Sequence, residues 1–461
     1  MENRGNILGT QPVGKLLLKF AIPSIIAMQV SALYNIVDQV FIGHSVGVLG
    51  NAATNVAFPL STICTALCLL FGLGGAANFN LSMGAGDRER AAHFAGNAAG
   101  LLILSGVCLS LISFLFLKPM MLFFGATPDV LDYALEYTGI TLFGFPFLII
   151  ANGGANLVRA DGSPKYSMMC MLTGAIINTV LDPLFIFVFG LGMKGAALAT
   201  VIGQVASGMM VILYLRKMKT VHLTLRDLKP SGKMALQIAS LGLAGCFNQM
   251  AMMVVQITMN NTLTHYGADS SYGSDIPLAC AGIIAKVNMI YFSIIIGTSQ
   301  GLQPIVSFNY GAKHYDRVRK TYQLAITAAT IVSTCAFLCF QFFPRQIIGL
   351  FGSGSEEYFR FAERYFRIYL FFTFLNGIQP ITSNFFTAIG KATRGALLAL
   401  TRQIIFLLPL ILVLPMLVGI DGVMYAGPIA DFAASILALL MGRAALQQMK
   451  KQELQQQMQL V

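Results

Sequence analysis

Tryptophan is missing from all 461 residues, and charge is scarce: Asp, Glu, Lys and Arg together make up 11% of the chain. Soluble domains carry about 25% charged residues, so an ordinary water-soluble protein is excluded. Polar blocks long enough to build a soluble domain are lacking too. Without tryptophan, the 34 Phe and 15 Tyr are the only large aromatic surfaces. Metal chemistry lacks its usual ligands. The eight cysteines include two i,i+4 pairs, Cys64/Cys68 and Cys335/Cys339, but no histidine lies beside either. They read as helix packing, with no metal site beyond a possible Na+.

What the chain has is apolar length. Hydrophobic residues fill 56% of it, and the mean hydropathy is +0.71. Runs of roughly 20 apolar residues, each able to cross a ~30 Å hydrocarbon core, recur from end to end. Twelve spans are expected, near 15–38, 51–80, 91–117, 130–156, 166–190, 194–215, 234–263, 276–308, 318–343, 358–386, 395–417 and 422–444. The first begins near Lys15 without a small-residue cleavage site, which predicts a retained helix and not a signal peptide. The expected fold class is an all-α polytopic membrane protein.

A formal charge of +11 invites a nucleic-acid partner, but the placement of the charges argues for topology instead. With the N-terminus inside, six basic residues fall on the outer side (Lys118, Lys194, Arg345, Arg360, Arg364, Arg367) and two, Lys286 and Arg402, within spans. The other 22 of the 30 lie in inner segments such as "RKMKTVHLTLRDLKPSGK" at 216–233. This positive-inside pattern predicts both termini in the cytoplasm of a plasma-membrane protein, and no nucleic-acid partner.

The chain is written twice. A shift of 227 residues lays "MGAGDRERA" (83–91) on "YGAKHYDRV" (310–318), Gly125 on Gly352 and Gly195 on Gly422. A shift of 218 aligns "GKLLLKFAIP" (14–23) with "GKMALQIASL" (232–241), the difference fitting a longer outer loop around 267–277. Six helices followed by six more predict two bundles in one orientation, related by a pseudo-twofold axis along the membrane normal. The expected division is an N-terminal lobe at 1–215, a basic cytoplasmic linker at 216–233, and a C-terminal lobe at 234–461 ending in a short cytoplasmic tail. Two such bundles commonly enclose a cleft and alternate access by rocking, which points to a transporter. An enzyme is disfavoured, since "FGLGGAAN" (71–78) lies within a span where small residues pack helices.

Acids inside spans cost several kcal/mol and read as functional by default. Asp38, Asp182 and Asp431 lie well inside. At a rise of 1.5 Å per residue, Asp38 falls in the outer part of the bilayer and Asp182 about 24 Å from the start of its helix, level with Thr200. Tyr34 precedes Asp38 by four residues, and Asn178 precedes Asp182 by four, so each shares its acid's helical face. Paired carboxylates with hydroxyl and amide neighbours suit proton sharing or ligation of a small cation. The repeat places Gln256 opposite Asp38 and Leu408 opposite Asp182, so the second half lacks the pair. Its own charges, Lys286, Arg402 and Asp431, lie near the midplane. Asp431 is expected either to pair with Arg402 or Lys286 or to contact substrate, and one positive charge is left over to face a cleft.

Four segments carry a family resemblance: "FAIPSIIAMQVSALYNIVDQVFIG" (20–43), "GAGDRERA" (84–91), "RADGSPKYSMM" (159–169) and "INTVLDPLFIFVFGLGMKGAALAT" (177–200). Over nearly its whole length the chain resembles the multidrug and toxic compound extrusion (MATE) transporters, most of all the bacterial branch that includes a staphylococcal multidrug pump. The resemblance implies a secondary antiporter, monomeric and without a cofactor, that exports organic compounds in exchange for H+ or Na+. It implies a coupling site at Asp38, Asn178, Asp182 and Thr200 with Tyr34 nearby, and a kink of the first span at Pro23. It also brings in an Asn on the fourth span, for which Asn152 and Asn156 are candidates. Some sodium-coupled members carry acids on spans seven and ten, where this chain has amides and methionines, among them Asn376 and Gln379.

The 23 methionines suit a cleft that adapts to many apolar shapes. The run 249–259 supplies Met252, Met253 and Gln256 as lining candidates. An acidic first half favours cationic or amphipathic substrates, while Lys286 and Arg402 leave anions and zwitterions open. A lipid-linked oligosaccharide flippase of the same superfamily is the alternative, and only those two basic residues speak for it. A major facilitator transporter would share the repeat of six, but Asp38 and "NTVLDP" argue against it.

Overall fold

The computed structural model describes residues 6–224, 226–271, 273, 275–351 and 355–459, so Gly352 of the repeat lies outside the described residues. Among those described, eleven helices are long and apolar enough to cross a membrane. They are α1 (Val13–Ser45), α2 (Leu49–Gly84), α3 (Arg88–Leu115), α4 (Pro128–Ala160), α5 (Pro164–Val188), α6 (Gly192–Leu215), α7 (Gly232–Ala268), α8 (Ile276–Gly311), α9 (Tyr315–Phe342), α11 (Ala392–Val418) and α12 (Asp421–Gln456). The twelfth span, α10, is broken into Glu356–Tyr369 and Ile378–Ala388, with a short 3₁₀ turn at Thr373–Leu375 between them. The result is two six-helix bundles of one orientation about a pseudo-twofold axis along the membrane normal.

Local chemistry explains the ends and the breaks. In "GAGDRERA", Gly86 turns the chain at φ +85° and Asp87 caps α3 by accepting from the Arg90 N–H at 2.9 Å. Lys313 occupies the matching position of the second half and also has a left-handed φ, +59°. The same turn is thus built twice, once at the steric cost that a side chain brings. The fourth helix of each bundle is interrupted at membrane depth, α4 by a 3₁₀ turn at Leu142–Gly144 and α10 as above. Side chains take up the freed carbonyls. Ser110 donates to Leu142 O (2.7 Å), Tyr291 to Thr373 O (3.3 Å) and Ser435 to Leu375 O (3.1 Å). The fifth helix of each bundle carries a wide π-helical turn, at Leu184–Val188 in α5 and Thr401–Leu407 in α11. The first follows Asp182 and the second holds Arg402.

The bundles meet through small residues. Ala21 and Ile25 of α1 rest on Gly301 and Gly297 of α8; α2 meets α7 at Gly74 and Gly242, and α8 at Gly84 and Gly311. These contacts all fall in the half of the membrane nearer the N-terminus and the 216–233 linker. Outermost on the α1–α8 seam, Gln29 donates to Ile290 O at 3.1 Å. The short helix Ile7–Thr10 reinforces that side, where Arg317 donates to Leu8 O (3.1 Å) and Gln11 O (2.7 Å).

The linker is a belt tied to the first bundle by two buried acids. Asp161, from "RADGSP", accepts from the Tyr214 hydroxyl (2.7 Å), the Lys219 N–H (2.7 Å) and the Thr220 hydroxyl (2.5 Å). Asp227 accepts from the Thr224 N–H (2.8 Å) and pairs with His93 at 2.6 Å. Burial alone would raise the Asp227 carboxyl, but the Thr224 bonds and His93 outweigh it and hold the group below the usual carboxylate range. A depressed value means that the tie is fully present at neutral pH and is lost only as the pH falls through that value. Asp227→Asn is expected to raise trypsin cleavage at Arg226 and Lys229 about tenfold, since losing a buried charged acceptor costs ~1–3 kcal/mol. Unchanged cleavage would mean that the belt is held elsewhere.

Candidate functional site

The first-half acids meet between three helices. Asp38 is on α1, Asp182 on α5 at 0% exposure, and Thr200 faces them from α6. The Asn178 amide bridges α5 and α6: its Nδ2 donates to Asp182 Oδ2 (3.2 Å), and its Oδ1 accepts from the Thr200 N–H (3.3 Å) and hydroxyl (3.2 Å). The Asp38 carboxyl lies against that of Asp182, with Tyr34 beside both. Two carboxylates offer only acceptors, so their contact calls for a shared proton or a cation between them. Asp38 Oδ1 is buried with no hydrogen-bond donor among the described groups. Among the described residues, no Lys or Arg is ion-paired with either acid.

Next to the acids lies a pocket of about 60 Å³, lined by Ser31, Tyr34, Asn152, Asn178, Thr200 and Gln204 among others. A water needs at least ~10–15 Å³. The pocket therefore has room for waters or a small cation and is too small for an organic molecule. Two of its neighbours are not among the sequence candidates. Tyr137 of α4 hydrogen-bonds Thr200 and stands near both acids. Gln204 lines the pocket, and its buried Oε1, without a donor, packs against Gly144 of α4. Gln204 follows Thr200 by four residues on α6, a spacing that could have marked it, whereas Tyr137 lies on another helix from every site residue the sequence offered. Asn152 lines this pocket, whereas Asn156 turns away and accepts from buried Arg159 at 2.6 Å. Pro23 is buried in α1, which is helical through it; Ser24 donates to Phe20 O (2.9 Å) in the same turn.

The second half holds a cavity of about 390 Å³, lined by α1, α7, α8, both parts of α10, and α11. Met252, Gln256, Gln379 and Arg402 line it, together with Met28, Met259, Met289, Phe292, Tyr365 and Tyr369. Met253 does not line it, being one residue out of phase with Met252 on α7. Asp431 sits behind the wall at 2% exposure and pairs with Arg402, Nε to Oδ1 at 2.5 Å. Asn376 donates to its other oxygen at 2.8 Å, so these two also stand behind the lining. Lys286 is exposed and has no ion pair among the described residues; Asp431 pairs with Arg402.

The MatE family model matches residues 23–184 and 244–413, most of both halves. The Multidrug export protein MepA of Staphylococcus haemolyticus is 26% identical over 426 residues, 92% of each chain. Its namesake in Staphylococcus aureus is 25% identical over 436 residues, 93% of each. A solved structure described as the outward-facing conformation of a multidrug resistance MATE family transporter of the MOP superfamily superposes with a TM-score of 0.89. That match is 24% identical and covers 98% of this chain and 100% of the other.

Proposed function

The chain belongs to the multidrug and toxic compound extrusion family, and from that premise we propose that it is a secondary antiporter exporting organic, cationic or amphipathic compounds in exchange for H+ or Na+. The observation that carries this reading is the contact of Asp38 with Asp182, buried beside a pocket of ion size and with no base to neutralise it. A proton or sodium ion supplies the missing positive charge, with Asn178, Thr200, Tyr34 and Tyr137 around it. Occupancy of the pair then biases α1, whose Pro23 removes one backbone hydrogen bond and lets the helix bend. Rocking of a 1–215 lobe against a 234–461 lobe, joined by the 216–233 linker, exposes the cleft to each side in turn. The distribution of Lys and Arg supports a bacterial plasma-membrane protein with both termini in the cytoplasm, and one chain contains all the parts of this cycle.

Uptake of a fluorescent organic cation into inside-out proteoliposomes tests the reading, with proton and sodium gradients imposed separately. Wild type is expected to respond to one gradient. Asp38→Asn and Asp182→Asn are each expected to fall to the rate of empty liposomes, since neither variant can take up and release the countercharge. Full activity in both variants would rule out coupling at this pair.

A further inference from the structure

We propose that the second-half cavity binds an amphipathic anion, a carboxylate or sulfonate on an apolar body, with its acid group on the forked end of Arg402. This narrows the exporter reading to amphipathic anions in place of cations, and its transport arm rests on that reading. Size comes first. The pocket at the acids holds about 60 Å³, while this cavity of about 390 Å³ falls in the range of drug-sized sites.

Polarity comes second. No Asp or Glu is among the lining residues, and Arg402 is the only ionised one. Its guanidinium is held from one side only: Nε donates to Asp431 Oδ1, and the group lies 5.9 Å over the Phe292 ring. Nη1 and Nη2 make no hydrogen bond to any described protein group and are not sealed from the cavity, the side chain being 15% exposed. Two parallel N–H donors at that end match the two oxygens of a carboxylate or sulfonate. Of the cavity's amides, Asn288 and Gln403 keep neutral donors free, while two others are committed. Gln256 donates to Asn260 Oδ1 (2.9 Å) and Gln379 to Leu398 O (2.6 Å). The Arg402 fork is the strong donor left for a ligand.

Charge balance comes third. Arg402 and Asp431 cancel formally, so an anion needs another positive charge. Lys286 supplies it. On α8 it lies four residues from Ile290, whose carbonyl binds Gln29 of α1, so it extends the face that α8 turns toward α1. Its neighbours Ala285 and Met289 line the cavity. An organic cation would meet the opposite balance, and Phe292, one of its aromatic platforms, already lies under Arg402.

The test uses one fluorophore with three charges: dansylglycine, its uncharged methyl ester, and cationic dansylcadaverine. Each is titrated against the full-length protein in lipid nanodiscs, with empty discs subtracted and no ion gradient. Wild type is expected to bind dansylglycine about tenfold or more tighter than the ester, the order of a charge-assisted bidentate contact. The double variant R402Q/D431N, which removes both charges together, is expected to keep ester affinity and lose that preference. Ester binding equal to dansylglycine in wild type, tighter dansylcadaverine binding, or a preference surviving in the double variant would each overturn the assignment. Should the double variant not fold, the wild-type comparison alone still decides. Anion binding without gradient-driven transport would overturn the exporter reading and spare the site. Transport of a cation with no anion preference would overturn the site alone.

Discussion

Gly84→Ala is expected to pull the two bundles apart on the side of the linker and to cut transport, although alanine is the better helix former. The intrinsic change favours the variant by about 1 kcal/mol. The added Cβ, however, would stand 1.9 Å from Phe308 O in the last turn of α8 and 2.8 Å from Ala312 N just past its end, both backbone atoms. Backbone cannot rotate away as a side chain can, so α2 and α8 must separate. Overpacking of this kind costs ~1–3 kcal/mol. The strain falls on the seam between bundles and leaves the interior of each intact. A conformational equilibrium carrying it shifts by about 5- to 150-fold. Faster hydrogen exchange at amides 81–86 and 308–314, in a protein that stays monodisperse, is the expected signature. Gly232→Ala, with open space at its Cβ position, serves as the neutral control. Wild-type exchange and transport in Gly84→Ala would mean that this crossing does not hold the closed side.

Arg402→Gln is expected to destabilise the protein by ~3–5 kcal/mol, the cost of stranding one partner of a buried ion pair. Asp431, at 2% exposure, would keep only its bond from Asn376 and have no countercharge. The double variant Arg402→Gln, Asp431→Asn is expected to recover most of the loss, because no charge is then left unpaired. Thermal unfolding of single and double variants in nanodiscs separates the two cases. Equal losses would show that packing against Phe292, and not the charge, is what Arg402 contributes.

The broken α10 shows where linear reading stops. Its residues are apolar enough to count as a span at 358–386, and the twelve-helix architecture follows from that count. The interruption between Tyr369 and Ile378 ends at the turn signal "NGIQP" (376–380), which a hydropathy count passes over, and the carbonyls it frees are satisfied from α8 and α12 by Tyr291 and Ser435. The repeat was legible down to single residues, since the left-handed turn at Gly86 recurs at Lys313. Within one helix, spacing was enough: Asn178 reaches Asp182 because residues four apart share a face. Between helices it was not. Asn156 is as polar as Asn152 and one turn away, yet it serves Arg159 while Asn152 faces the pocket.

By itself, then, the sequence determined the membrane-spanning fold, its duplication, and the positions of ionisable groups where water is absent. Hydropathy, periodicity and spacing are properties of a linear chain and need no knowledge of what packs where. Only the tertiary structure decided that Asp431 pairs with Arg402 and not Lys286, and that Tyr137 joins the acids. It alone also decided that the larger cavity carries a guanidinium and no carboxylate. Those outcomes depend on which faces of separate helices meet. Close backbone approach at Gly74, Gly84, Gly297 and Gly301 sets that between the bundles, and no periodicity records it.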